Sequence, residues 1–247
     1  MASRWFRFAA PSSFYPLAGK LVPPTAMAAA ALAAIGLYVG FRVAPTDAQQ
    51  GEVYRIIFIH VPAAWMSMFL YVVMAAWSAA ALGFNTRLSA MMAQAIAPSG
   101  ALMTFIALWS GALWGRPTWG TYWVWDARMT SELLLLFLFL GVIALRQAIE
   151  DPRRADRACA LLSLVGIVNV PIIYFSVHWW NTLHQGASIR AGSATIESTM
   201  LTGMLLMTLA FWCYAIAVIL VRVRAIIVER ERSAAWVAPY VPLQATS

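Results

Sequence analysis

The stretch TMLTGMLLMTLAFWCYAIAVILVR, residues 199–222, holds no charged side chain before its last residue, Arg222. At a helical rise of 1.5 Å per residue it extends about 36 Å, enough to cross the roughly 30 Å hydrocarbon core of a bilayer. Outward from it, comparable apolar runs recur at 158–178, 130–146, 91–113, 57–83 and 21–42. The chain of 247 residues is 62% hydrophobic and 11% charged, with a mean hydropathy of +0.73. A soluble domain is about half apolar and about one quarter charged, and could not bury that much apolar surface. The expected fold is therefore all-α, an integral membrane bundle of six transmembrane helices. It is read as a single membrane domain over residues 1–247, with a short tryptophan-rich segment at 114–130.

Six crossings put both termini on one side of the membrane. Arg42, Arg55, Arg116, Arg128 and Arg190 fall on the opposite side, while the remaining twelve of the 17 lysines and arginines, Arg4, Arg7 and Lys20 among them, fall on the terminus side. The positive-inside rule then places both termini in the cytoplasm and leaves outer loops at roughly 43–56, 114–129 and 179–198. The first run could be mistaken for a cleaved signal, because small residues Ala28 to Ala31 lie in it, but its full spanning length and late start favour retention.

The net charge of +7 would suggest nucleic acid if the basic residues formed a patch; they lie instead at the ends of apolar runs, so no nucleic-acid partner is expected and membrane lipid is. The basic tail from Arg222 to Ser247 is expected to meet lipid headgroups. Cys159 and Cys213 sit within apolar runs and there is no CxxC or CxxCH, which argues against a thiol oxidoreductase, a zinc module or a covalently haem-bearing cytochrome. No GxxxxGK loop and no inverted repeat occur, so ATP-driven work would have to come from a partner, and a transporter of two matching halves has no support.

The segment WGRPTWGTYWVWDAR, residues 114–128, holds Trp114, Trp119, Trp123 and Trp125, with Trp109 just before it. Indoles at a helix end can be an aromatic belt at headgroup level. Gly115 and Gly120, however, would let the backbone fold tightly and bring several indole faces onto one platform, suited to a large flat apolar ligand. The three histidines, His60, His178 and His184, all map to the outer side. A lone histidine is more often a hydrogen-bonded interface residue. Two on separate elements beside tryptophans could bind both faces of a haem iron, and His60 and His184 are the candidates. His178, at the end of the fifth run, is read as supporting or structural. Arg128 could pair with a carboxylate such as a haem propionate, and Asp126 could order the loop or meet a cationic partner; a local pair of Asp126 with Arg128 or Arg116 is the alternative. Glu132 is expected to cap or charge the start of the fourth span.

WGRPTWGTYWVWDARMTS at 114–131, FIHVPAAW at 58–65 and WWNTLHQGAS at 179–188 together resemble the WWD family of haem-handling membrane proteins, and within it the CcmC, or haem exporter protein C, family of cytochrome c maturation. Larger members, the CcmF and CcsA synthetases, share the tryptophan segment, and the six-span layout fits CcmC better. The resemblance implies a protein of the bacterial inner membrane that holds haem b transiently at the periplasmic face and promotes its attachment to the haem chaperone CcmE. It implies axial iron ligation by His60 and His184, contact of the tryptophan segment with haem and CcmE, and assembly with CcmD and the ATP-binding-cassette pair CcmA and CcmB. Positioning would be its contribution, as a haem-lyase-like subunit or chaperone. Two rivals remain open. A redox subunit would ordinarily bury its histidines within the helices, and a small-solute channel would ordinarily carry ionisable residues near the span centres.

Overall fold

Proline, glycine and capping side chains set where the apolar runs begin and end. A computed structural model describes residues 9–184, 189–190, 193–194 and 196–240. Arg4 and Arg7 of the topology argument, Gln185 to Ser188 of the third motif, the Arg190 side chain and Val241 to Ser247 of the tail lie outside the described residues. Helix α1 (Pro11–Tyr38) opens on a proline, whose missing N–H costs nothing in the first turn, and runs into a π turn at Val39–Val43. A 3₁₀ turn at Glu52–Ile56 leads into α2 (Ile57–Phe84), which stops at left-handed Asn85. Helix α3 (Arg87–Trp119) ends at Gly120, whose φ of 81° suits glycine and whose N–H donates to the Arg116 carbonyl at 3.0 Å.

Asp126 caps α4 (Ala127–Ala148) by accepting from the Met129 N–H at 2.8 Å, and Asp151 caps α5 (Pro152–Gly166) through the Arg154 N–H at 2.7 Å. Helix α6 (Asn169–Trp179) follows, then a two-residue antiparallel ladder of β1 (Ile189–Arg190) with β2 (Ser193–Ala194), pairing Ile189 with Ala194 and Arg190 with Ser193. Glu197 caps α7 (Ser198–Arg230), accepting from the N–H groups of Thr199 and Met200 at 2.8 and 3.0 Å.

Among the described residues, six helical segments are long and apolar enough to cross a membrane, with α5 and α6 forming one of them. The bundle is all-α as expected, but three boundaries differ. The first segment begins at Pro11 rather than 21, because the helix continues through Lys20 and the Pro23-Pro24 pair. The fifth begins at Pro152 and is interrupted after Gly166, where Pro171 has no N–H to offer the Ile167 carbonyl. Helix α3 reaches Trp119, so the first third of the expected loop at 114–129 is helical.

The core lies where α2, α3, α4 and α7 meet, around fully buried Tyr71, Phe139, Met66, Met74 and Met91. Helix α1 packs along α7 and otherwise stays largely exposed, as a lipid-facing helix would. Tyr15 meets Trp236 and Tyr240 at ring separations of 5.9 and 4.7 Å, and the Arg224 guanidinium lies 4.3 Å over the Tyr15 ring. Both ends of the described chain therefore share one end of the bundle, called the terminus end below. His60, Trp114 and His184 lie at the other, the histidine end.

Candidate functional site

Helix periodicity assembles the histidine end. On α3, Ala107, Gly111, Trp114 and Thr118 follow one another at spacings of four, three and four and so share a face, with Ser110 beside Gly111 and four residues before Trp114. His60, on the first turn of α2, lies against that face. Its Nδ1 is 3.1 Å from Ser110 Oγ, and its ring stands edge-on to Trp114 with centroids 5.6 Å apart. A Cβ on Gly111 would come within 2.9 Å of the His60 ring, so only glycine leaves the imidazole its place. Trp114 is held by donating from Nε1 to Gln50 Oε1 at 2.7 Å.

His184 arrives on the loop after α6, its ring 5.3 Å from that of Trp119 and 6.2 Å from that of His60, with 42° between the two imidazole planes. Its Nδ1 is buried with no partner among the described residues. Burial first, and the positive charge of Arg128 second, hold the His184 imidazole down to a pKa of about 4. It is therefore neutral at ordinary pH, the form in which imidazole ligates metals. Arg128 extends from the first turn of α4 and donates through one Nη to the Ile173 carbonyl at 2.7 Å, which leaves further guanidinium donors for the cavity.

These residues wall a cavity of about 330 Å³ that Trp65, Tyr174 and His178 complete, with an apolar lining broken by the histidines, Gln50 and Arg128. His178, read as supporting, thus faces the same space. Of the four tryptophans expected to form one platform, Trp114 and Trp119 line the cavity and Trp123 and Trp125 do not. The latter two stack edge to face on each other at 5.3 Å, and Trp125 is 78% exposed. The division follows from the extension of α3 to Trp119: the first two indoles are carried on the helix, while the next two lie beyond the turn at Gly120, Trp123 half-buried and Trp125 exposed. Asp126 caps α4 and does not reach the cavity, and among the described residues it forms no ion pair with Arg128 or Arg116. Glu132 is not a helix-start charge: it is 6% exposed between α4 and α2, accepting from Ser67 Oγ at 2.7 Å. It borders a small pocket of about 30 Å³ shared with His60, His184 and Arg128.

Sequence reasoning missed Gln50, Ser110, Gly111 and Glu132. Ser110 and Gly111 could have been found from their position one helical turn before Trp114, whereas Gln50 offers no such signal.

A family model for "Heme exporter protein C" matches residues 4–238. The chain belongs to the CcmC, or haem exporter protein C, family. It is 48% identical over 222 residues to the Heme exporter protein C of Bradyrhizobium diazoefficiens, covering 90% of this chain and 84% of the relative. It is 43% identical over 235 residues to the Heme exporter protein C of Escherichia coli K12, covering 95% of each. A "Putative cytochrome c biosynthesis ccmC-like mitochondrial protein" of Marchantia polymorpha is 43% identical over 181 residues, 73% of this chain and 77% of the relative. For a CcmC-family chain, the cavity that gathers both histidines and two of the motif tryptophans is the natural candidate site.

Proposed function

We propose that this CcmC-family protein holds haem b transiently at the periplasmic face of the bacterial inner membrane and promotes its covalent attachment to the chaperone CcmE, in company with CcmA, CcmB and CcmD. The observation that carries this reading is the placement of His60 and His184, with ring centroids 6.2 Å apart at a cavity walled by Trp114 and Trp119. Imidazole nitrogens about 2 Å from a metal on opposite sides place the two ring centres roughly 6 Å apart, so the pair fits a bis-histidine iron. His60 Nδ1 is engaged by Ser110, which fixes the ring and leaves Nε2 as the ligating atom. Arg128 supplies guanidinium donors for a propionate, and the Trp114 and Trp119 faces exclude water around the macrocycle.

When bound, haem supplies the reactive vinyl group; this chain's residues supply position. Exposed Trp125 and Tyr122, on the turn that leads away from the cavity, are the surface offered to the chaperone. The visible spectrum of the detergent-solubilised protein tests the reading, alone and co-produced with the chaperone, for wild type, His60→Ala and His184→Ala. A low-spin bis-histidine signal that weakens in both variants is the expected result. Wild type that carries no haem under haem-sufficient conditions, or a signal indifferent to both substitutions, overturns it.

A further inference from the structure

A second cavity, of about 310 Å³, opens at the terminus end among α2, α3, α4, α5 and α7. Small side chains make its room: Ala81, Ala90, Ala93, Ala97 and Ala160 line it. It is separate from the histidine-end cavity. Along α2 the order is His60, fully buried Tyr71, then Ser78, and along α4 it is Arg128, fully buried Leu135 and Phe139, then Arg146, so a packed layer lies between the two spaces.

Two features of the second cavity call for a ligand. On its wall, Ser78, 1% exposed, and Gln94 each carry a buried polar atom without a partner among the described residues. A Gln amide is assigned O or N from its bonding, so Gln94 can present a donor here. The second feature is an unbalanced cation. Arg146 and Arg230 share Asp156, at 3.9 and 2.6 Å, so the carboxylate on the wall is already matched. Arg222 donates to Ser99 Oγ at 2.8 Å and, among the described residues, has no acidic partner. A half-buried guanidinium facing an apolar space is stabilised by an anion that can also fill the space.

We propose that this cavity binds an amphipathic anion, with its carboxylate or phosphate on Arg222 and its apolar body among the alanines. Two sources share that chemistry, an acidic phospholipid of the adjoining leaflet and a porphyrin dicarboxylate. The site is independent of the histidine pair, and the test keeps them apart. The full-length protein is purified in detergent as wild type, Arg222→Gln and Ala160→Phe, the last filling the cavity, and native mass spectrometry is read after addition of phosphatidylglycerol or phosphatidylethanolamine. In parallel, zinc protoporphyrin IX is titrated into the His60→Ala/His184→Ala variant with and without Arg222→Gln, following tryptophan fluorescence, since Trp77 adjoins Ser78.

Selective retention of phosphatidylglycerol, falling about tenfold in Arg222→Gln, identifies the lipid. Saturable one-to-one porphyrin binding without the histidines, weakened about tenfold by Arg222→Gln, identifies the porphyrin. Arg222→Gln leaves the cavity volume intact, so its result stands even where Ala160→Phe fails to fold. Absence of both kinds of binding, or binding indifferent to Arg222→Gln, overturns the proposal.

Discussion

Gly111 acts on the site through the atom it lacks. A Cβ there would sit 2.9 Å from the His60 ring, on the opposite side of a rigid helix pair, so Gly111→Val forces the imidazole to tilt. Overpacking of this kind costs about 1–3 kcal/mol and is expected to remove most of the low-spin haem signal. Ser110→Ala keeps the room and removes only the Nδ1 partner, a loss of about 1 kcal/mol, so haem retention should fall several-fold and no further. The visible spectra of the two variants at equal protein concentration check the order. A larger loss in Ser110→Ala would mean that ring orientation, and not space, governs His60. The same residues mark what a sequence reveals at this scale. His60 and His184 belong to a residue type that occurs three times in the chain, Trp114 and Trp119 to a distinctive segment, and all four line one cavity. Gln50 was not legible in the sequence, because its partner Trp114 is 64 residues away and a glutamine in a loop announces nothing. Gly111 and Ser110 were hidden by an apolar run in which small residues look like ordinary helix packing.

Between elements, the Glu132–Ser67 hydrogen bond ties α4 to α2 below the histidines. Ser67→Ala leaves a buried carboxyl without its donor and is expected to destabilise the bundle by about 1–3 kcal/mol, whereas Ser67→Ala/Glu132→Leu replaces both partners by apolar groups and should recover most of that. Thermal unfolding in detergent reads the cycle, and strictly additive effects would count against the bond as a tie. Glu132 was misread because a carboxylate six residues after Asp126 resembles a helix-start charge; its burial depends on Ser67, which only tertiary structure brings near. A cap gives a pH signature instead. Backbone N–H groups of Thr199 and Met200 hold the Glu197 carboxyl at about 2, below its ordinary 4.5. A depressed carboxylate pKa contributes stability that is complete above 4.5 and lost as pH falls toward 2. The difference in melting temperature between wild type and Glu197→Gln should therefore be present at pH 7 and shrink steadily below pH 4.5, and a pH-independent difference would rule the cap out as its cause. Helix ends of this sort also explain why existence was easier to read than extent. Apolar runs reveal the hydrocarbon-length middle of each helix, while Pro11, Gly120 and the Pro171 interruption set ends that hydropathy does not see.

For the whole molecule, orientation rests on charge. The described arginines of the histidine end are Arg42, Arg55, Arg116 and Arg128, and part of that charge is internally occupied. Arg55 pairs with Glu52 at 2.5 Å and donates to the carbonyls of Gly40 and Ala44, and one Nη of Arg128 donates to the Ile173 carbonyl. The terminus end carries Arg87, Arg146, Arg153, Arg154, Arg157, Arg222, Arg224, Arg230 and Arg232 among its described residues. Ion pairs lie at both ends, Arg55 with Glu52 at one and Arg87 with Glu231 and Arg146 and Arg230 with Asp156 at the other, so it is the count of described arginines, nine against four, that carries the expectation of a cytoplasmic terminus end. The expected outcome can be read by labelling. With Cys159 and Cys213 replaced by serine, Gln49→Cys, in the exposed loop before α2, should react with a membrane-impermeant maleimide in intact spheroplasts. Glu150→Cys, between α4 and α5, should react only after permeabilisation. The reverse pattern would place the histidine cavity on the cytoplasmic side, where it could not present haem to a periplasmic chaperone, and the proposed direction of delivery would fall even though the cavity itself stands.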